Sequence, residues 1–212
     1  MTNNVSPAPI THRPLILIAC MLAMFMSAIE ATIVATAMPT IIGDLGGFSL
    51  LGWVFAVYLL AQAITIPIYG RLADLYGRKR VFFFGATLFL LGSVLCGFAP
   101  DMYWLIGFRL LQGLGAGAIM PIASTIIGDI YSATERPKVM GYLSSVWGVS
   151  AIIGPLLGAF IVQHLPWALV FWVNLPIGLL AMFFLWRYLP AHQQLRPHAL
   201  DLAGTAWLTL FV

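Results

Sequence analysis

Six apolar runs, each long enough to cross a bilayer as a helix, follow one another along the 212-residue chain, at 14–38, 50–69, 81–98, 102–127, 139–162 and 167–185. A spanning helix needs ~20 apolar residues to cross ~30 Å of hydrocarbon, and in that solvent every backbone N–H and C=O must be satisfied within the protein. The pattern leaves an all-α integral membrane protein as the fold class. Charged residues make up 8% of the chain, against ~25% in a soluble domain, which excludes an ordinary soluble protein.

The distribution of cations orients the runs. Arg13, Arg71, Arg78, Lys79, Arg80, Arg136, Lys138, Arg187 and Arg196 all fall at junctions on one side, and only Arg109 lies inside a run. Positively charged junctions stay in the cytoplasm. That places the N-terminus and the loops 70–80, 128–138 and 187–199 inside, and 39–49, 99–101 and 163–166 outside. Residues 1–13, polar and carrying Pro7 and Pro9, read as a disordered cytoplasmic tail. The run that follows is longer than a signal-peptide core and its n-region is weakly charged. Residues 14–188 form the six-span bundle, 189–199 a cytoplasmic linker, and 200–212 the start of a seventh span. That last run is about thirteen residues long, so the chain reads as a fragment of a longer protein.

Several function classes drop out. The net charge of +3 is spread over membrane-flanking loops rather than gathered on one face, so no nucleic-acid partner is expected. Cys20 and Cys96 both lie in apolar runs and suggest no disulfide framework. No stretch has metal-ligand spacing. His12, His164, His192 and His198 are scattered through loops and tails, and neither a His-Glu-x-x-His nor a Gly-x-Ser-x-Gly motif occurs. Neither enzyme chemistry nor a cofactor is expected.

What remains unusual is charge inside the membrane. Glu30 lies in the first run and Arg109 in the fourth, and each costs ~2.5–3.5 kcal/mol to insert. Such residues face the bundle interior and mark a pathway or a structural hydrogen bond. Desolvation favours the neutral carboxyl, so a group like Glu30 can hold and release a proton near neutral pH. Arg109 shares a helical face with Gln112 and Gly113. The basic stretch 70–80 contains four of the ten Lys/Arg residues, one carboxylate, Asp74, and Gly77, which permits a left-handed turn. Glycines recur at Gly113, Gly115 and Gly117, and again at Gly148, Gly154 and Gly158. Small residues at that spacing let helices approach closely, and Pro155 favours a kink.

These residues resemble the motifs of a known family. The stretch 70–80 is similar to the loop motif between spans two and three of the major facilitator superfamily. Leu105-x-x-x-Arg109-x-x-Gln112-Gly113-x-Gly115 resembles its span-four motif, and Gly148 with Gly154-Pro155 and Gly158 resembles its span-five antiporter motif. Residues 30–39 and 167–178 resemble the span-one and span-six signatures of the fourteen-span drug:proton antiporters. Glu30 and Ala35 stand where that group commonly has Asp and Asn, and Ala168 and Leu169 where it has Arg and Trp.

The resemblance implies the N-terminal six-helix bundle of a two-bundle carrier, with inverted three-helix repeats around a central cavity. It implies that Glu30 carries the proton and helps hold substrate, with Arg109 and Gln112 biasing its protonation. It implies a cytoplasmic latch of Gly70, Asp74, Gly77 and Arg78, with Asp129 as a partner for Arg78, and a rocking surface at Gly148, Gly154, Pro155 and Gly158. The expected activity is proton-driven efflux of lipophilic, cationic drugs across a bacterial inner membrane, completed by a missing C-terminal half. The alternatives are an inactive truncated product and a carrier of a non-drug solute.

Overall fold

The computed structural model describes residues 12–190, which form α1 (Arg13–Leu45), α2 (Leu51–Tyr76), α3 (Arg78–Gly97), α4 (Met102–Ile130), α5 (Arg136–His164), α6 (Leu169–Trp172) and α7 (Asn174–Tyr188). No strand occurs among the described residues. Among the described residues, six helical segments are long and apolar enough to cross a membrane, with α6 and α7 together making the sixth. Most of the expected tail, most of the linker and all of the seventh run lie outside the described residues, and Arg13, expected in the tail, opens α1.

The helices extend beyond the expected spans. The first was expected to end at Met38, before Pro39, but α1 contains Pro39 and continues to Leu45. Proline removes one backbone hydrogen bond. Beyond it, Ile41 is fully buried and keeps the helix packed. The stop comes instead at Gly46 and Gly47, with φ of 70° and 74°, where the Gly46 amide donates to Ile42 O at 2.9 Å. The expected loop 70–80 is likewise mostly helix. Residues 70–76 complete α2, residues 78–80 open α3, and the turn reduces to Gly77 at φ 89°. The loop expected at 128–138 shrinks to 131–135.

α1 and α4 are the inner helices. α4 packs on α3 and α2, while α1 packs on α5, α7 and α4. Close approach is built into the sequence: a Cβ on Gly92 would stand 2.6 Å from the Gln112 backbone, and one on Gly115 would stand 2.3 Å from the Phe89 amide. α2 and α5 are flank helices with large exposed apolar side chains, among them Trp53, Ile152 and Leu156.

The apolar core is divided in two. One part, including Ile16, Phe82, Phe89, Ile122 and Leu185, fills the end that carries the basic junctions. The other, including Ile33, Ile41, Leu105, Ile161 and Phe171, fills the opposite end. Between them, at the level of Glu30, Ser93, Arg109 and Asn174, lies a polar layer.

The basic end is closed by cations on helix carbonyls. Lys79 Nζ donates to Trp186 O at 2.7 Å and to Leu189 O at 2.8 Å, sealing the end of α7. Arg136 donates through Nε to Tyr131 O at 3.1 Å and also to Gly128 O, sealing the end of α4.

Candidate functional site

Glu30, on α1, is fully buried, and both of its carboxylate oxygens are engaged. Oε1 pairs with Arg109 Nη1 from α4, and Oε2 accepts from Asn174 Nδ2 at the start of α7. Arg109 is 1% exposed. Its Nη1 also donates to Gln112 Oε1 at 2.8 Å, its Nε to Val54 O on α2 at 3.4 Å, and its guanidinium lies 4.0 Å from the centre of the Tyr58 ring. The ring face supplies cation–π attraction where there is no water to solvate the charge.

Ser93 on α3 ties the layer together. Its hydroxyl accepts from Gln112 Nε2 at 2.8 Å and from Asn174 Nδ2 at 3.0 Å, and donates to Phe171 O at 3.2 Å. That is one donor and two acceptor positions, the full capacity of a hydroxyl. Cys96 Sγ lies 3.7 Å from Gln112 Oε1. The result is one continuous network joining α1, α2, α3, α4, α6 and α7. The arrangement holds a carboxylate dry and neutralised by one cation.

The three residues singled out as the proton and substrate group, Glu30, Arg109 and Gln112, are therefore in direct contact. Tyr58, Ser93 and Cys96 did not stand out in the sequence, and Asn174 did so only as part of the segment 174–178. The available signal was a polar side chain within an apolar run, as at Tyr58, Ser93 and Asn174.

The latch residues are only partly gathered. Arg78, at the first turn of α3, forms an ion pair with Asp129 on α4 and donates to Thr125 O at 3.0 Å. Asp74 is exposed in the last turn of α2 and acts on Arg78 through its field rather than as its ion-pair partner. Gly70 lies within α2, with open space where a Cβ would stand.

The antiporter-motif glycines also divide. Gly154 and Gly158 face α1, where a Cβ would meet Thr32 Oγ1 at 1.9 Å and Ile33 O at 3.0 Å, whereas Gly148 faces open space. Pro155 lies between the two packed glycines, inside α5. Thr32 completes the seam, donating to Ile29 O at 3.0 Å and to Ser150 O on α5 at 3.3 Å.

Comparison with known proteins gives a consistent result. A family model described as Major Facilitator Superfamily matches residues 20–212. Multidrug resistance protein 3 of Bacillus subtilis (strain 168) is 45% identical over 197 residues, which cover 93% of this chain and 38% of that protein. Multidrug transporter protein MdtP of the same organism is 45% identical over 194 residues, which cover 92% of this chain and 36% of that protein. The chain thus spans less than half the length of these relatives. Among solved structures, the human organic anion transporter MFSD10 (TETRAN) superposes with a TM-score of 0.75 at 18% identity, covering 93% of this chain and 53% of that one. A likeness at that identity speaks for the fold alone.

Proposed function

The chain belongs to the Major Facilitator Superfamily, and from that premise we propose that it is the N-terminal bundle of a fourteen-span carrier exporting lipophilic, cationic small molecules in exchange for protons. The observation that carries this reading is the Glu30–Arg109 pair, buried at mid-depth in a bundle of membrane-spanning helices. Ionisable residues inside a membrane face a high insertion penalty and are kept where ions or substrates pass.

Antiport follows from competition for one carboxylate. With Arg109 on Oε1 and Asn174 on Oε2, Glu30 is fully engaged. A cationic substrate must displace part of that shell to reach the negative charge. A proton removes the charge and with it the attraction for the substrate. Proton and drug therefore occupy Glu30 in turn. The names of the Bacillus subtilis relatives support a drug as the cargo. The Arg78–Asp129 pair, with Asp74 nearby, serves as the latch at the basic end, which we place in the cytoplasm of a bacterial cell, with the N-terminus on that side. Gly148 offers an open face for the second bundle.

The test is Glu30→Gln in the full-length carrier, reconstituted in proteoliposomes with an imposed pH gradient and a fluorescent cationic substrate. Uphill transport is lost, and Glu30→Asp retains part of it because the titratable group remains. Full gradient-driven transport by Glu30→Gln overturns the reading.

A further inference from the structure

We propose that Asn174 is a positioning residue that senses the charge on Glu30: its amide nitrogen holds the carboxylate, and proton uptake at Oε2 makes the amide turn over. The proposal rests on Glu30 being the group that takes the proton. Both hydrogens of Asn174 Nδ2 are committed, one to Glu30 Oε2 and one to Ser93 Oγ. Asn174 Oδ1 is buried and has no hydrogen-bond partner among the described residues. The saturated hydroxyl of Ser93 therefore sets which edge of the amide faces α1.

Arg109 already occupies Oε1, so the proton goes to Oε2. There the O–H takes the lone pair that faced the Asn174 amide and sets donor against donor between α1 and α7. A half-turn of the amide brings the unused Oδ1 to the new O–H and carries Nδ2 to the place that Oδ1 held. The Ser93 hydroxyl then rotates to donate to that same Oδ1, releasing Phe171 O at the break between α6 and α7. The balance is simple: one proton from water is bonded to Oε2, the carboxylate loses its charge, and no other covalent bond changes. The protonation state of α1 is thereby read as a change of hydrogen bonds at the start of α7.

The ionisable groups facing Glu30 are Arg109 from α4, Tyr58 from α2 and Cys96 from α3. The buried faces of α5, α6 and α7 contribute none.

The test is infrared difference spectroscopy of the full-length protein in lipid, following the carboxylic-acid C=O band that Glu30→Gln removes. Asn174→Leu keeps the branched shape but loses both the donor that meets the carboxylate and the acceptor that meets the acid, of which the bond to the charged group is the stronger. The protonation midpoint of Glu30 rises by about one pH unit, roughly tenfold tighter proton binding. Ser93→Ala, the milder change, leaves the donor but frees its orientation, and the midpoint rises by less. Midpoints equal to that of the parent in both variants overturn the proposal, as does a Glu30 band that never appears on acidification. The transport reading fails separately, through active Glu30→Gln, which leaves the effect of Asn174 on the midpoint to be measured by itself.

Discussion

Moving Glu30 and Arg109 out of water carries a desolvation penalty of several kcal/mol per ion, which mutual attraction offsets only when the remaining donors and acceptors are filled. Gln112, Asn174, Val54 O and the Tyr58 ring supply that filling. Removing one partner should therefore be worse than removing both. Arg109→Met leaves a buried carboxylate without its cation and is expected to lower unfolding stability by about 3–5 kcal/mol, whereas the double variant Glu30→Met/Arg109→Met recovers most of that loss. Chemical denaturation in lipid bicelles measures the cycle, and strictly additive single effects would refute the coupling. Glu30 and Arg109 were legible in the sequence because a charge in an apolar run is rare. Gln112 followed from Arg109 by helical spacing. Ser93 and Asn174 were not legible as partners: short polar side chains are common in membrane helices, and 81 residues separate the two. Their pairing is a property of the assembled helices.

At the scale of the element, glycines that look alike in the sequence do different work. Gly92→Ala drives a methyl into the Gln112 backbone, and overpacking of this kind is expected to lower stability by about 1–3 kcal/mol. Gly148→Ala meets nothing and is expected to leave the thermal midpoint of the bundle unchanged or slightly raised. It should nonetheless slow transport by the full-length carrier, since that face is proposed to meet the second bundle. Equal destabilisation by both changes would contradict this division. The start of α5 gives a pH-dependent case. Hydrogen bonds from the Ser132 amide and hydroxyl hold the exposed Glu135 carboxyl below its ordinary value. Its contribution to the α4–α5 turn is complete above the unfolded value of about 4.3 and fades as pH falls through the folded one. Carboxyl NMR titration should show that depression, and Ser132→Ala should bring Glu135 back towards the ordinary value. Helix ends were the least legible feature. Pro39 resembles a terminator, but a buried Ile41 beyond it outweighs one missing hydrogen bond, and the left-handed Gly46 and Gly47 stop the helix instead.

For the whole molecule, the six crossings were legible because apolar length and cation placement are set by the bilayer rather than by packing. The proposed orientation predicts that single cysteines at Ser49 and Gln163, both exposed, react with an impermeant thiol reagent from outside a cell expressing an otherwise cysteine-free protein. A cysteine at Ser132, exposed at the other end, should stay silent until the membrane is breached. The reverse pattern inverts the molecule. The two core halves were not legible, because they are separated by a layer that exists only once the helices have met. The cations at the basic end have a further consequence. Lys79 sits on the carbonyl end of α7 and Arg136 on that of α4. There the aligned peptide dipoles leave partial negative charge. The side chains that would steer insertion of the nascent chain also neutralise its helix macrodipoles after folding. Shifting one of them a few positions along its own junction would preserve the insertion signal and strip a helix end of its counter-charge, so biogenesis and native stability draw on a single set of residues.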